Sequence, residues 1–518
     1  MMEREINILW TDDEIELLKS YILFLEDKGY KVSTANNGEE ALELVVKQNF
    51  DLIFLDENMP GLSGLETLER IKDLVPAVPV IMITKSEEED IMDEAIGSKI
   101  ADYLIKPVNP KQILLTIKKH IDSRRLVTQK TTSAYQVQFS QISSLINTAV
   151  SFDDWVSIYR KLVFWGQELE ESDESGMNEV LSMQWTEANS GFNKFIRKNY
   201  KDWFSGQQKD QPVLSPQIFP EAVFPHLEQG QVFVLVIDNL RYDQWKLIEQ
   251  QINELFTVDE EKVCCCILPT ATQYARNAMF AGLMPAEIKQ MLPRYWVDED
   301  EDAGKNLYEE DLLKAHMQRL GIRKSMHYEK ISNQKQGKKV VDHFSDLLNY
   351  DLNVLVYNFV DMLSHARTEM DVIRELAFDE KSYRSLTITW FNNSYLMDLI
   401  RLLAQQDVKL VITTDHGTVR VQDPVKVIGD RKTSSNLRYK QGRNLNFPQG
   451  KVFESRSPGE LHLPRSNVST TYIFAGERDY LVYANNYNYF VNHFRNTFQH
   501  GGISLEEMVI PCVIMSPR

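Results

Sequence analysis

Residues 409–418 read KLVITTDHGT, and the rest of the chain is organised around what that stretch becomes. Val408, Leu410, Val411 and Ile412 form a short apolar run rich in β-branched residues, the composition of a buried strand. Two threonines then carry the chain to Asp415, His416 and Gly417. A carboxylate oxygen beside an imidazole is a good pair for a divalent cation, with zinc the first candidate. Gly417 lets the backbone turn sharply without a Cβ. Open α/β sheets place their ligands at the carboxyl ends of strands. Alone, the pair reads equally well as an Asp–His hydrogen bond capping a strand, so its partners must decide.

From residue 226 onward, four more segments end in the same kind of chemistry. VFVLVID is an apolar strand ending on Asp238. VCCCILPTAT is a second, with Thr270 and Thr272 just ahead of a helical pattern. LNVLVYNFVDMLSHA leads to Asp361, with His365 one helical turn further on the same face. FQHGGISLEEMVIP supplies His500. Alternating strands and helices here read as α/β.

At 518 residues the chain is long enough for two to four domains. Its 43% apolar and 25% charged content is that of a soluble globular protein. A net charge of −18 argues against wholesale nonspecific DNA binding, and no helix-turn-helix is evident. MMEREINILW lacks a signal peptide's apolar core, and no run approaches a membrane span, so a cytoplasmic protein without membrane insertion is expected. Four cysteines make no disulfide framework, and the run Cys264–Cys266 reads as small core residues of a strand.

The first 122 residues alternate strand and helix in five rounds, through INILWT, KVSTA, DLIFLD, VPVIMIT and DYLIK, the pattern of a doubly wound parallel sheet. Asp12, Asp13 and Asp56 fall at strand ends, a cluster that repels itself unless a cation such as Mg²⁺ sits among it. Thr84 ends the fourth strand, and Lys106 precedes Pro107 after the fifth. These residues, in this order, resemble a response-regulator receiver domain with the CheY-like fold. The resemblance implies Asp12, Asp13, Asp56 and the Asn58 carbonyl as the Mg²⁺ site, and Asp56 as the phosphoacceptor. It also implies Thr84, Tyr103 and Lys106 as switch residues, and 87–97 with 111–121 as a dimerising face.

Residues 123–215 differ in kind. Phe152, Trp155, Val156, Tyr159, Leu162 and Val163 make one helical stripe, and Trp185, Phe192, Phe195, Ile196 and Trp203 a second. A helical bundle that transmits the receiver's state is the economical reading. Pro212, Pro216, Pro220 and Pro225 suggest a short extended connector.

Residues 216–518 resemble the alkaline phosphatase superfamily, and HGGISLEE resembles its PglZ branch. The resemblance implies one zinc on Asp238, Asp415, His416 and Thr272, and a second on Asp361, His365 and His500. Thr272 is then the nucleophile; Thr270 is its rival, and the family's PTxT pattern favours the later threonine. Val419–Arg456 carries nine Lys or Arg against three Asp or Glu, a net +6 in an acidic chain. Arg431, Lys432, Arg438, Lys440 and Arg443 there read either as a clamp for a polyanionic substrate or as a solvated loop. Asp298–Asp302 reads as a solvated acidic loop.

Receiver, helical middle and PglZ-type domain together resemble response regulators of type IX protein secretion. That implies a sensor histidine kinase, phosphorylation-dependent homodimerisation, secretion-machinery or sigma-factor partners, and a phosphodiesterase acting on oligonucleotide or cyclic-nucleotide substrates. The reading from a different class is a metal-binding docking scaffold without turnover.

Overall fold

The computed structural model describes residues 6–518, apart from 77, 86–99, 172–174, 206–210, 300, 302–303 and 431–432. It divides into two compact units, one reaching Gln136 and one spanning Val137–Glu170 and Ser175–Arg518.

In the first unit β1 (Ile6–Thr11), β2 (Tyr30–Ala35), β3 (Leu52–Asp56), β4 (Val80–Thr84) and β5 (Asp102–Ile105) form one sheet in the order β2-β1-β3-β4-β5. Every pairing is parallel. Side chains alternate across it. Ile8, Trp10, Leu52, Phe54, Ile81 and Ile83 enter one core, while Leu9, Ile53, Leu55, Val80 and Met82 enter the other. A sheet buried on both faces explains why these strands are continuous apolar runs. The helix Gly64–Leu74 starts on a capping box between Ser63 and Glu66, which satisfies its first donors.

The second unit is built on a six-stranded sheet. Its strands are β6 (Gln231–Ile237), β7 (Phe256–Cys265), β8 (Met326–Ile331), β9 (Leu352–Tyr357), β10 (Val408–Thr413) and β18 (Val509–Pro517). The order is β7-β18-β10-β6-β9-β8, with β18 antiparallel to both neighbours and β10, β6, β9 and β8 mutually parallel. Smaller sheets hold the segment between β10 and β18. β11 (Val419–Arg420) pairs with β17 (Phe498–Gln499), and β12 (Asp423–Val427) with β16 (Asp479–Tyr483). β13 (Tyr439–Gly442) and β14 (Val452–Ser455) flank β15 (Thr471–Ala475).

The helices Phe152–Glu171 and Ser175–Asn199 meet through aromatic rings, Trp155 against Phe192 at 5.9 Å and Tyr159 against Trp185 at 5.5 Å. Tyr159 also packs on Tyr242, which opens the helix after β6. The proline-rich segment is not extended. Ser215–Gln217, Ile218–Ala222 and Phe224–Glu228 are short helical turns whose Ile218, Phe219, Ala222 and Leu227 are buried. Pro216 and Pro225 stand in first turns, where a missing N–H costs nothing. Cys264, Cys265 and Cys266 are buried and unbridged.

Candidate metal centre

Segments that follow three parallel strands and one short antiparallel strand converge on one place. Asp238 follows β6, and Asp415 and His416 follow β10. The helix Phe359–Glu369, after β9, carries Asp361 and His365, and His500 follows β17. Asp238, Asp415 and His416, all buried, bring ligand atoms within 4.8 Å of one another; so do Asp361, His365 and His500, of which His365 is exposed and the other two half-buried. The two groups adjoin, since the rings of His416 and His500 stack at 4.2 Å.

The hydrogen bonds leave the right atoms free. His416 Nδ1 lies 3.1 Å from the Gly417 carbonyl, and His500 Nδ1 lies 3.0 Å from that of Thr270. Each ring therefore donates from Nδ1 and keeps the Nε2 lone pair for a cation. Asp238 Oδ1 and Asp415 Oδ2 are buried without a hydrogen-bond partner. Buried carboxylate oxygens are rarely left so, and this donor set fits a divalent cation at each group. Burial pushes the Asp238 carboxyl up to about 6, against the pull of Arg276, and raises Asp415 and Asp361. It also holds the His416 imidazole down at about 4 and that of His500 at about 3, in the neutral form that ligates.

Thr272 is the first residue of the helix Thr272–Ala281, and its Oγ1 lies 3.1 Å from His416 Nε2. Thr270 is differently placed. It is fully buried, its Oγ1 donating to the Gly502 carbonyl at 3.1 Å and accepting from Gly501 N–H at 2.9 Å. Gly417 does not occupy the left-handed region that a sharp turn would need. It is required because a Cβ there would meet the Glu506 carbonyl at 1.9 Å. Two residues at this centre, Asn239 and Arg276, carry no sequence signature of their own, and a third, Glu507, closes the HGGISLEE stretch. Asn239, at φ 65°, binds Asp415 Oδ1 through its N–H and Asp361 Oδ1 through its side chain. Arg276 ion-pairs with Asp238 at 2.6 Å. Glu507 accepts from Gly502 N–H, Ser504 and Arg438, fixing the loop after His500.

The basic segment does not form the expected clamp. Arg438 is fully buried on Glu507, and Lys440 is buried, its Nζ donating to the Ser434 and Ser435 carbonyls beside the Tyr483 ring. Neither can reach a substrate. Arg443 is exposed, and Arg431 and Lys432 lie outside the described residues. The acidic run is likewise only partly solvated. Asp298 holds Lys289 at 2.6 Å, and Glu299 accepts from the Tyr439 hydroxyl at 3.1 Å.

In the first unit Asp12, Asp13 and Asp56 bring ligand atoms within 4.8 Å. Lys106 Nζ lies 2.8 Å from both Asp12 and Asp56. Burial opposes the lysine's charge, but these two bonds outweigh it and hold its pKa above the ordinary value. Burial raises that of Asp56. Thr84 donates to Glu57, Asn58 is exposed, and Tyr103 is 40% exposed. Residues 87–97 of the expected dimer face lie outside those described.

Comparison with known proteins divides along the same lines. A response regulator receiver domain model matches residues 8–118, and the model of the PorX response regulator linker domain matches 125–204. The transcriptional regulatory protein ZraR of Klebsiella oxytoca is 35% identical over 142 residues, 27% of this chain and 32% of that protein. The alginate biosynthesis transcriptional regulatory protein AlgB of Pseudomonas putida is 38% identical over 119 residues, 23% of this chain and 27% of its own. The chain thus spans about a third of the length of these relatives or less. A crystal structure of the chemotaxis protein CheY4 of Vibrio cholerae is 30% identical and covers 22% of this chain and 98% of its own, at a TM-score of 0.22. The BREX system PglZ alkaline phosphatase-like domain model matches residues 218–515, the segment that carries both ligand groups and Thr272. That match takes in more than half of the sequence, and the chain therefore belongs to the PglZ alkaline phosphatase-like family, joined here to a response-regulator receiver and a PorX-type linker domain.

Proposed function

We propose that this response regulator is phosphorylated on Asp56 and that its output domain is a zinc-dependent phosphodiesterase acting on oligonucleotide-like substrates in the control of type IX secretion. The observation that carries the enzymatic part is the placement of the Thr272 hydroxyl, 3.1 Å from His416 Nε2 and beside two adjoining ligand groups. Asp238, Asp415 and His416 would hold one zinc with Thr272, and Asp361, His365 and His500 the second. Bound there, zinc would polarise the phosphoryl oxygens and lower the pKa of the threonine hydroxyl.

The protein's own groups supply the rest. Thr272 Oγ1 loses its proton to solvent and forms a bond to phosphorus as the bond to the leaving alkoxide breaks, which takes a proton from water; a further water then releases the phosphate monoester and restores the threonine hydroxyl. The helix begins at Thr272, so its positive end would face a phosphoryl group bonded to that residue. Buried neutral His416 and His500 offer lone pairs and not protons. Thr270 already spends its hydroxyl on Gly502, which favours Thr272 as nucleophile. The substrate class, the kinase partner and the secretion role rest on the family resemblance. No helix among the described residues is long and apolar enough to cross a membrane.

Thr272→Val keeps the side chain's shape and leaves three ligands on the first zinc. It should retain bound zinc yet lose phosphodiester hydrolysis by roughly 10³-fold or more. The double change His365→Ala, His500→Ala should lose one zinc and activity together. Normal hydrolysis by Thr272→Val with a dead Thr270→Val would move the nucleophile by two residues. Zinc-free, inactive wild type would leave a docking scaffold.

A further inference from the structure

Arg276 is a buried cation in an unexpected place. It lies on the helix that begins at Thr272, it is 0% exposed, and it faces the carboxylates read above as metal ligands. Its Nη1 is 2.6 Å from Asp238 Oδ2 but 3.6 Å from Asp415 Oδ2. On the other side its Nε donates to Glu309 Oε1 at 2.8 Å, and Glu309 also accepts from Tyr328 and Lys330. Arg276 is therefore pinned from behind through Nε and ion-pairs with one oxygen of Asp238, while its Nη1 and Nη2 make no hydrogen bond.

The unused atoms give that grip a direction. Asp238 Oδ1 and Asp415 Oδ2 have no hydrogen-bond partner although both are buried. Asp415 Oδ1 is taken by the N–H groups of Asn239 and His416, at 3.3 and 3.1 Å. So each carboxylate has one oxygen engaged by the protein and one left over, and His416 Nε2 meets the Thr272 hydroxyl, itself read as a ligand of the same cation. A guanidinium that served as a substitute cation would bridge both aspartates at hydrogen-bond distance. This one does not.

We infer that Arg276 is a positioning residue for the first ligand group: it fixes Asp238 by Oδ2 so that Oδ1, Asp415 Oδ2 and His416 Nε2 converge on one cation, with Glu309 as its anchor. The inference rests on the zinc reading of that group. Partners behind metal ligands set the ligands' orientation, and losing one typically weakens metal binding or activity by about 10–100-fold. Charge alone predicts the opposite, because removing a nearby positive charge strengthens the attraction of a cation.

The test measures zinc stoichiometry and affinity by competition with a chromophoric chelator on the full-length protein, with circular dichroism as a control for folding. Arg276→Lys keeps the charge and loses the planar fork. It should weaken one zinc by about 10–100-fold and leave the zinc on Asp361, His365 and His500 at wild-type affinity. Glu309→Gln, which loosens the anchor and leaves Arg276 in place, should weaken the same zinc by less, and it carries the test if Arg276→Lys does not fold. Zinc absent from wild type would overturn the metal reading itself. Two zincs in wild type with unchanged affinities in both variants would overturn the role of Arg276 alone. One zinc in wild type, lost on His365→Ala, would mean that Arg276 replaces the first cation. A rise in KM with both zincs unaffected would make it a phosphate donor, and either result overturns the positioning role.

Discussion

Lys440 shows how far a residue's chemistry departs from its letter. In the sequence it sits in a basic, polar stretch and reads as a hand for phosphates. In the fold it is 1% exposed, and burial brings its pKa down to about 7. Between about pH 7 and the ordinary lysine value, the unfolded chain holds a proton there that the folded chain does not. Stability should therefore rise with pH across that window and fall as pH drops through it. Urea unfolding of wild type and Lys440→Met at pH 7 and pH 9.5 checks this: the wild type should gain stability on Lys440→Met between the two, and parallel behaviour would sink the assignment. The ligand-type residues were legible because Asp and His at strand ends are distinctive in type and position. Arg438 and Lys440 were not, because the fate of a loop charge depends on partners far away in sequence, as Glu507 is for Arg438. Arg276 was missed for the same reason. A lone arginine inside a helical pattern reads as solvated until Asp238 and Glu309 are seen on either side of it.

At the scale of elements, the strands and aromatic stripes were readable from periodicity, and the turns between 212 and 228 were not. Prolines break helices and also begin them, and only the burial of Ile218, Phe219 and Ala222 decides which. The middle helices have a contact that no stripe announces. Asn189, on Ser175–Asn199, accepts from Leu505 N–H at 2.8 Å and donates to both oxygens of Glu506, at 3.2 and 3.0 Å. Burial raises the Glu506 carboxyl, and Asn189 is among the groups that oppose this. Asn189→Ala leaves a buried carboxylate and a backbone donor short of a partner. It should cost about 1–3 kcal/mol of unfolding free energy, read from urea midpoints at constant slope. A loss below about 0.5 kcal/mol would show that water replaces the amide, as it does at ordinary surface sites.

At the scale of the whole molecule, the Asp12, Asp13 and Asp56 group and the two Asp–His ligand groups lie in different compact units. An acyl-phosphate mimic with Mg²⁺ should convert monomer to dimer in light scattering, for wild type and Thr272→Val alike, while Asp56→Ala should stay monomeric. Unchanged wild-type mass would remove the dimerisation reading. The order of the strands adds a consequence for biosynthesis. β18, the last strand in the chain, lies inside the six-stranded sheet, and β7 has no other neighbour in it. A ribosome making this protein can release a complete receiver sheet early, since that sheet ends at Ile105. The effector sheet must wait for residues 509–517, on the order of tens of seconds later at ordinary elongation rates. Throughout that interval β7 and β10 lack the strand that separates them, and unpaired strand edges of this kind are prone to pair with other chains. A chain that stops before Val509 would carry the whole receiver sheet but an effector sheet without the strand that joins β7 to β10.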